Sequence, residues 1–400
     1  MFEPLKDVRV VDLSQILAGP YATYQLALLG AEVIKIEKPG EGDWTRRGGA
    51  LTALADRQMA LDYLTHNAAK KSVTINLKTA EGLELIKALI ATADIFVENY
   101  RPGVAERLGL SFEAVREVKQ DIVYCSVSAY GQDGPLSRRP AYDHVVQGMC
   151  GIMLTTGRPG EGPTKVGAPY IDYATGMNAA MAAMAGLMEA RRTGKAVRID
   201  VAMLDTALML MASLMSQHLS AGWKPVQNGN EAWSRSPSSG AFKTTDGLLM
   251  LAANNDSQFR KLCTALDRAD IATDSRFTTP RGRAANADCL RQMLDEIFAT
   301  ETAAHWEEVL ARADVPAARV RTLDEVLAED QVRSRALVSE HSIEGHDGTI
   351  HIPNRSFKVD GEPGTPTSPP SALGADTDEV LQAAGISTAR LGELRRAGVI

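Results

Sequence analysis

An α/β fold built on a parallel sheet is predicted by three features of the sequence. Val8-Arg-Val-Val-Asp12, the turn Leu17-Ala-Gly-Pro20, a helix over Tyr21–Leu29 and Ala31-Glu-Val-Ile-Lys-Ile-Glu37 follow one another as strand, turn, helix and strand. Within roughly thirty residues that is a βαβ unit, whose crossover makes the two strands parallel. Short apolar runs at Ser72–Asn76, Ile95–Glu98, Ile122–Ser126 and Ala196–Val201 repeat the strand pattern. Helix-length segments such as Ala80–Ala91 alternate with them, as a parallel sheet requires.

The elements have local causes. Pro20 suits the first turn of a helix, where a missing N–H costs nothing, and Gly30 stops that helix. The first turn lacks a GxGxxG pattern, which disfavours a dinucleotide site. Lys38-Pro-Gly-Glu-Gly-Asp43 is a glycine-rich turn after the second strand, and Asn99-Tyr-Arg-Pro-Gly103 follows the strand at Ile95. The strand ends thus collect Lys38, Lys78, Asn99, Arg101 and Arg107. Singly each is a solvated surface group. Together, past the carboxyl ends of the strands, they suit a phosphorylated ligand.

Gly167-Ala-Pro-Tyr-Ile-Asp-Tyr-Ala-Thr-Gly176 leads into a helix rich in alanine and methionine, Met177–Arg192. Asp172 at its start reads in two ways. It is a helix N-cap, accepting orphan backbone N–H groups. It is also a carboxylate nucleophile beside the positive end of a helix, whose amides would steady negative charge.

An apolar helix is expected over Met203–Leu219, then an aperiodic linker at Ala221–Ser239. A smaller α/β segment follows, with strand Leu248–Ala253, helices Ser257–Leu266, Ala285–Phe298 and Ala303–Ala313, and strand Ala318–Thr322. Leu323–Leu337 reads as a return path, His351-Ile-Pro and Phe357-Lys-Val as strand edges, Pro363–Pro370 as extended chain, and Thr377–Ala384 and Thr388–Ala397 as helices. The domains expected are 1–220, 221–330 and a return segment 331–400 that completes the first.

Composition narrows the function. A net charge of −7 argues against nucleic acid or an anionic membrane as partner. The most apolar stretches are interrupted or too short to span a bilayer. The N-terminus lacks the basic and apolar regions of a signal peptide, and four scattered cysteines fit a reducing cytoplasm. P-loop, GxSxG and HExxH patterns and paired-cysteine zinc spacing are absent. His341 and His346, five apart in a polar loop, read as solvated, so no metal or redox cofactor is expected.

Six blocks coincide in order and spacing: Leu17-Ala-Gly-Pro20, Gly30–Glu37, Gly42-Asp43, Asn76-Leu-Lys78, Val97–Gly103 and Tyr130-Gly-Gln-Asp-Gly-Pro135. Over nearly the whole chain they resemble the class III CoA-transferases, a family that includes the α-methylacyl-CoA racemases. The resemblance implies an interlocked, ring-shaped homodimer with a Rossmann-like large domain formed by both chain ends and a smaller inserted α/β domain. It implies acyl-CoA and a carboxylic acid acceptor as substrates, with coenzyme A as the carrier. Asp172 matches the catalytic aspartate, which passes through an acyl anhydride and an aspartyl-CoA thioester. Lys38, Lys78 and Arg107 match phosphate contacts. Asn99 and Tyr100 match positions flanking the adenine and pantetheine, and Tyr142 and Asp143 match positions near the thioester. The start of the helix after Asp172 is a candidate source of oxyanion donors.

The racemase branch uses a histidine as its second base. Here Pro140-Ala-Tyr-Asp-His144 places Tyr142 at that position, and His144 falls about 200° away on a helix. A tyrosine is a poor base at neutral pH, so CoA transfer is favoured over racemisation, with a non-catalytic CoA-binding dimer as the third reading. Ser234-Arg-Ser-Pro-Ser-Ser-Gly240 replaces a glycine-rich loop of the oxalate-type branch and argues against oxalate as acceptor. Gly374-Ala-Asp-Thr377 departs from the family's Gly-Glu-His-Thr block and lacks its histidine. Arg235 is a candidate partner for a second carboxylate, whereas Tyr170 and Trp233 suit an apolar acyl pocket.

Overall fold

The structure is a computed structural model and describes residues 2–400. The chain begins β1 (Arg9–Asp12), α1 (Ala18–Ala27), β2 (Glu32–Glu37), α2 (Thr52–Ala55), α3 (Leu61–Asn67), β3 (Lys70–Thr74), α4 (Ala80–Ile90) and β4 (Ile95–Glu98). It continues α5 (Val104–Arg107), α6 (Phe112–Val118), β5 (Val123–Ser128), α7 (Asp143–Cys150), α8 (Tyr170–Thr193), β6 (Val197–Ala202), α9 (Met203–Leu210) and α10 (Ala212–Ala221).

The six strands form one parallel sheet in the order β3-β2-β1-β4-β5-β6. The order reverses between β1 and β4. The connections leaving those two strands therefore diverge and open a crevice at their carboxyl ends. Alternate residues face opposite layers. Val10, Val33, Ile95 and Val97 pack against α1 and α8. Val11, Ile34, Val73 and Phe96 pack on the other side with α4 and with Val380, Leu381, Leu391 and Leu394 of the helices Thr377–Ala383 and Thr388–Arg396.

By contact the chain divides into two compact units. One gathers the residues up to Ile152 with Lys165–Lys224 and Arg333–Ile400. The other comprises Met153–Thr164 and Pro225–Val332. It holds an antiparallel sheet of β7 (Ser239–Lys243), β8 (Leu248–Ala252) and β9 (Ala317–Arg319). Helices α11 (Asp256–Ala265), α12 (Ala269–Thr273), α13 (Pro280–Ala285), α14 (Ala287–Phe298) and α15 (Ala303–Arg312) lie between β8 and β9 in the chain. Phe242, Phe259, Leu290, Leu294 and Phe298 are core residues of this unit.

Several expectations shift. Strand β3 starts two residues earlier than expected, because the buried Lys70 belongs to it, and a lysine reads as surface in a sequence. Asp172 is not the N-cap: α8 begins at Tyr170, so Asp172 lies inside the first turn. The expected helix Met203–Leu219 is broken at Met211, with φ −106° and ψ 19°, where neither proline nor glycine marks the break. His341 lies in a strand, Val338–Ser342, opposite Ile350 of Thr349–Pro353, and not in a loop. Phe357–Val359 forms no full strand: the Phe357 carbonyl accepts from Arg355 Nε, and only Val359 pairs, in an isolated antiparallel bridge with Glu362. Among the described residues no helix is long and apolar enough to cross a membrane.

Candidate active site

A cavity lies at the reversal of strand order. Gln15, Ile16, Leu17 and Ala18 after β1, Asn99–Pro102 after β4 and Val127–Ala129 at the end of β5 line it, together with Arg139, Tyr142, Asp172 and Met203. Its volume, about 190 Å³, is below the roughly 300–1,000 Å³ of sites for drug-sized ligands, so it suits the reacting end of a longer molecule.

Asp172 is delivered to this cavity by the start of α8, a helix of 24 residues whose alanines let it pack closely on the sheet. Gly176, one turn on, has α1 so near that a Cβ would stand 2.7 Å from the Ala18 carbonyl oxygen. Burial raises the pKa of the Asp172 carboxyl to about 7, and the charge of Asp143 adds to that effect.

Asp143 itself is 7% exposed, and its carboxylate caps α8. Asp143 Oδ2 accepts the N–H of Ile171 at 2.9 Å and that of Asp172 at 3.2 Å, and Oδ1 accepts from Gln147 Nε2 at 2.6 Å. The Tyr170 and Tyr173 N–H groups go to the Ala168 and Pro169 carbonyls. The first-turn amides of α8 are therefore already used, and they are not the oxyanion donors expected from the sequence. Helix α1 differs. It has no side-chain cap and no acidic residue in its first turn, and the Ala18 and Gly19 N–H groups have no acceptor among the described residues.

The loop between β1 and α1 is held almost atom by atom. Leu13 N–H donates to the Val97 carbonyl at 2.8 Å. Asn99 brackets Gln15, accepting its N–H at 2.8 Å and donating to its carbonyl at 2.7 Å. Asp43 accepts the Ile16 N–H on both oxygens at 3.2 Å. Below this loop lies a set of buried charges: Lys35 on Asp43 at 3.0 Å, Lys70 on Asp12 at 3.2 Å, and Arg46 on Glu37 at 2.7 Å. Burial lowers the Lys70 pKa to about 8, partly opposed by Asp12, whereas for Lys35 burial is outweighed by Asp43, Asp12 and Glu37 together, which hold its pKa above the usual value.

His66 adds a neutral prop. Burial and then Lys70 lower its pKa to about 4. Its Nδ1 faces the Asp62 carbonyl at 3.2 Å, so Nδ1 carries the proton. The Tyr173 hydroxyl therefore donates to Nε2 at 3.0 Å, directly after Asp172 in the chain.

The residues expected from sequence separate into two groups. Asn99, Tyr100, Tyr142 and Asp172 share the cavity. Lys38, Lys78 and Arg107 do not line it; they lie on the surface past β2, past β3 and at the end of α5, with Lys38 paired to Glu41. Tyr142 is 59% exposed and stacks on His144, which lies outside the cavity lining. The sequence reading missed Gln15, Ile16 and Arg139. It also missed Lys35, whose signal was a charge in a strand otherwise read as buried. Arg235 and Trp233 belong to the other compact unit. Among the described residues no group of three or more His, Cys, Asp or Glu is placed to hold a metal.

Comparison with known proteins identifies the family. The model of CoA-transferase family III matches residues 5–377. A succinyl-CoA:glutarate CoA-transferase of Homo sapiens is 35% identical over 401 residues, covering 100% of this chain and 90% of that protein. A succinate–glutarate CoA-transferase of Agrobacterium fabrum is 37% identical over 355 residues, covering 87% of each. The crystal structure of a CaiB/BaiF family protein from Brucella suis superposes with a TM-score of 0.83 at 30% identity, covering 96% of this chain and 100% of that one. The chain belongs to CoA-transferase family III and is a CoA-transferase.

Proposed function

We propose that the protein moves coenzyme A between two carboxylic acids, with Asp172 as the nucleophile. The observation that carries this is the Asp172 carboxylate lining the cavity at the reversal of strand order. Ionised, it attacks the thioester carbonyl; the C–S bond breaks and CoA thiolate leaves, forming a mixed anhydride. The thiolate then attacks the aspartyl carbonyl and releases the first acid, leaving an aspartyl-CoA thioester. The acceptor carboxylate attacks that thioester, breaking its C–S bond, expelling CoA thiolate and forming a second mixed anhydride. The thiolate then attacks the acceptor's acyl carbonyl, and the anhydride C–O bond breaks to free the Asp172 carboxylate. A carboxylate suits both roles, since it adds to a thioester and leaves readily from an anhydride. The Ala18 and Gly19 N–H groups are the proposed oxyanion donors.

For the rest of coenzyme A we propose Asn99 and Tyr100 along the pantetheine and adenine, and Lys38, Lys78 and Arg107 on the phosphates. Tyr142 borders the thioester, and Asp143 acts by holding α8. The acids are proposed to be short dicarboxylates, as in the names of the relatives. Arg101 and Arg139 support this, because both line the cavity and neither has an ion pair among the described residues. The racemase reading has no second base in the cavity, where Tyr142 stands.

The working form is proposed to be the interlocked homodimer, its large domain built from both chain ends with the smaller one inserted. Met177, Met181 and Met188 support a partner: they lie 47%, 61% and 74% exposed on one face of α8, an apolar stripe that a second chain would cover. Four unpaired cysteines, three of them buried, support a cytoplasmic setting.

The test is intact mass after incubation with succinyl-CoA and a panel of other acyl-CoAs, without acceptor, beside Asp172→Ala. An adduct of acyl or CoA mass that the variant lacks is expected. Retained exchange of labelled CoA by Asp172→Ala would refute the assignment. Solvent deuterium at the α-carbon with no adduct would move the reading to racemisation.

A further inference from the structure

Ile16 occupies the left-handed region, with φ 72°. For a β-branched side chain this is a true outlier, and such strain persists only where the surroundings impose it. The surroundings here can be named. Asp43 receives the Ile16 N–H on both oxygens, while Asn99 fixes the flanking Gln15 through its N–H and carbonyl. Asp43 is 1% exposed and cannot swing away, because Lys35 Nζ, Thr45 N–H and the Thr45 hydroxyl hold it at 3.0, 3.0 and 2.8 Å.

The turn at Ile16 has a consequence for the cavity. It reverses the chain between β1 and α1, so that Gln15, Leu17 and Ala18 all line the wall that also contains Asp172. In the right-handed or extended region the chain would leave β1 in another direction, and the uncapped start of α1 would no longer face that wall. Asp43 does not line the cavity.

We propose that Asp43 is a positioning residue for the transfer reaction: by gripping the Ile16 N–H it imposes the left-handed turn that sets Gln15 and the free amides of α1 around Asp172. This rests on Asp172 as the nucleophile. The competing role is structural only, with Asp43 present as counter-charge to Lys35. The two roles differ in what glycine at position 16 does, because glycine adopts the same turn without being held.

The experiment compares Asp43→Asn, Ile16→Gly, their double variant and Ile16→Pro by steady-state kinetics with succinyl-CoA and glutarate, or with the donor that the mass experiment identifies. In Asp43→Asn an amide nitrogen must face either Lys35 or Thr45 N–H, which loosens the grip. Its kcat is expected to fall about 10- to 100-fold, as a displacement near 1 Å would cause, with KM for the acyl-CoA within about twofold. The double variant is expected to regain at least about fivefold of the lost kcat, since the turn then forms unaided. Ile16→Pro, which fixes φ near −65° and leaves Asp43 and Lys35 intact, is expected to lose kcat as Asp43→Asn does. A double variant no faster than Asp43→Asn, or wild-type kcat in Ile16→Pro, would overturn the proposal. Should Asp43→Asn not fold, Ile16→Pro still overturns the proposal if its kcat is that of the wild type, and a loss of kcat at unchanged KM supports the part the turn plays in it. Turnover by Asp172→Ala would instead count against the nucleophile and leave the grip on Ile16 to be judged by these same variants.

Discussion

Asp143 holds the main-chain N–H of Asp172 at 3.2 Å, so one aspartate anchors the backbone of the other while its charge opposes ionisation of the other's side chain. Removing the cap and removing the charge are therefore separable. Asp143→Ala leaves the Ile171 and Asp172 N–H groups unpaired and is expected to cost about 1–2 kcal/mol of stability together with most of the activity. Asp143→Asn keeps an acceptor oxygen and is expected to stay folded. Its acid limb should shift below that of the wild type, because a like charge is gone. Chemical denaturation and pH–rate profiles of the two variants check this, and an unmoved limb in Asp143→Asn would remove Asp143 as a cause.

The Asp172 carboxyl, raised to about 7 chiefly by burial, must be ionised to attack. The rate of adduct formation is expected to rise with pH and to reach half its plateau near 7. Stability runs the other way. Between 3.8 and about 7 the folded state binds more protons at this site than the unfolded chain, so stability falls as pH rises through that window. Asp172→Asn should therefore raise the unfolding free energy at pH 8 by roughly 2–4 kcal/mol while abolishing turnover. A variant less stable than wild type at pH 8 would contradict the buried, raised carboxyl.

Two glycines of α8 offer a matched comparison. A Cβ on Gly176 meets the Ala18 carbonyl oxygen at 2.7 Å and the Tyr21 ring at 2.9 Å, which are backbone and a packed aromatic. A Cβ on Gly186 meets the flexible end of Ile199 at 2.8 Å, which can turn aside, and a methyl of the buried Val123 at 3.0 Å, which must give by a few tenths of an ångström. Gly176→Ala is expected to cost about 1–3 kcal/mol and to lower kcat by moving α8 off α1. Gly186→Ala is expected to stay within about 1 kcal/mol, since better helix propensity offsets a mild clash, with kcat near wild type. Equal effects in denaturation and kinetics would refute the distinction.

Arg139 is exposed at the cavity wall without an ion pair among the described residues. If it reads the far carboxylate of a dicarboxylic acid, Arg139→Ala should raise KM for glutarate about tenfold, the loss of one charge-assisted hydrogen bond. KM for pentanoate, which lacks that carboxylate, should change little. Parallel changes for both acids would assign Arg139 to coenzyme A instead.

Much of the parallel sheet was legible because its strands are buried on both faces and read as continuous apolar runs, as with Ile95–Glu98. Lys70 hid the start of β3 because its charge is neutralised by a residue 58 positions away, a pairing that no local pattern records. Asp172 was legible as a carboxylate at a helix start, but its place inside the turn was not, since the cap comes from Asp143, 29 residues earlier. The Ile16 turn was invisible, because isoleucine is the residue type least associated with a left-handed backbone.

The buried charges beneath the β1–α1 loop have one more consequence. Asp12, Glu37 and Asp43 are matched by Lys35, Arg46 and Lys70, three against three, all at most 4% exposed. Loss of any one member leaves an uncompensated charge in the interior, a change of about 3–5 kcal/mol, while replacing a whole pair by apolar groups is nearly neutral. Lineages descending from this chain can therefore not drift through these positions one at a time. The six should vary among descendants as linked pairs or stay frozen together, and a homologue carrying an apolar residue at Lys35 should have lost an acidic partner in the same step.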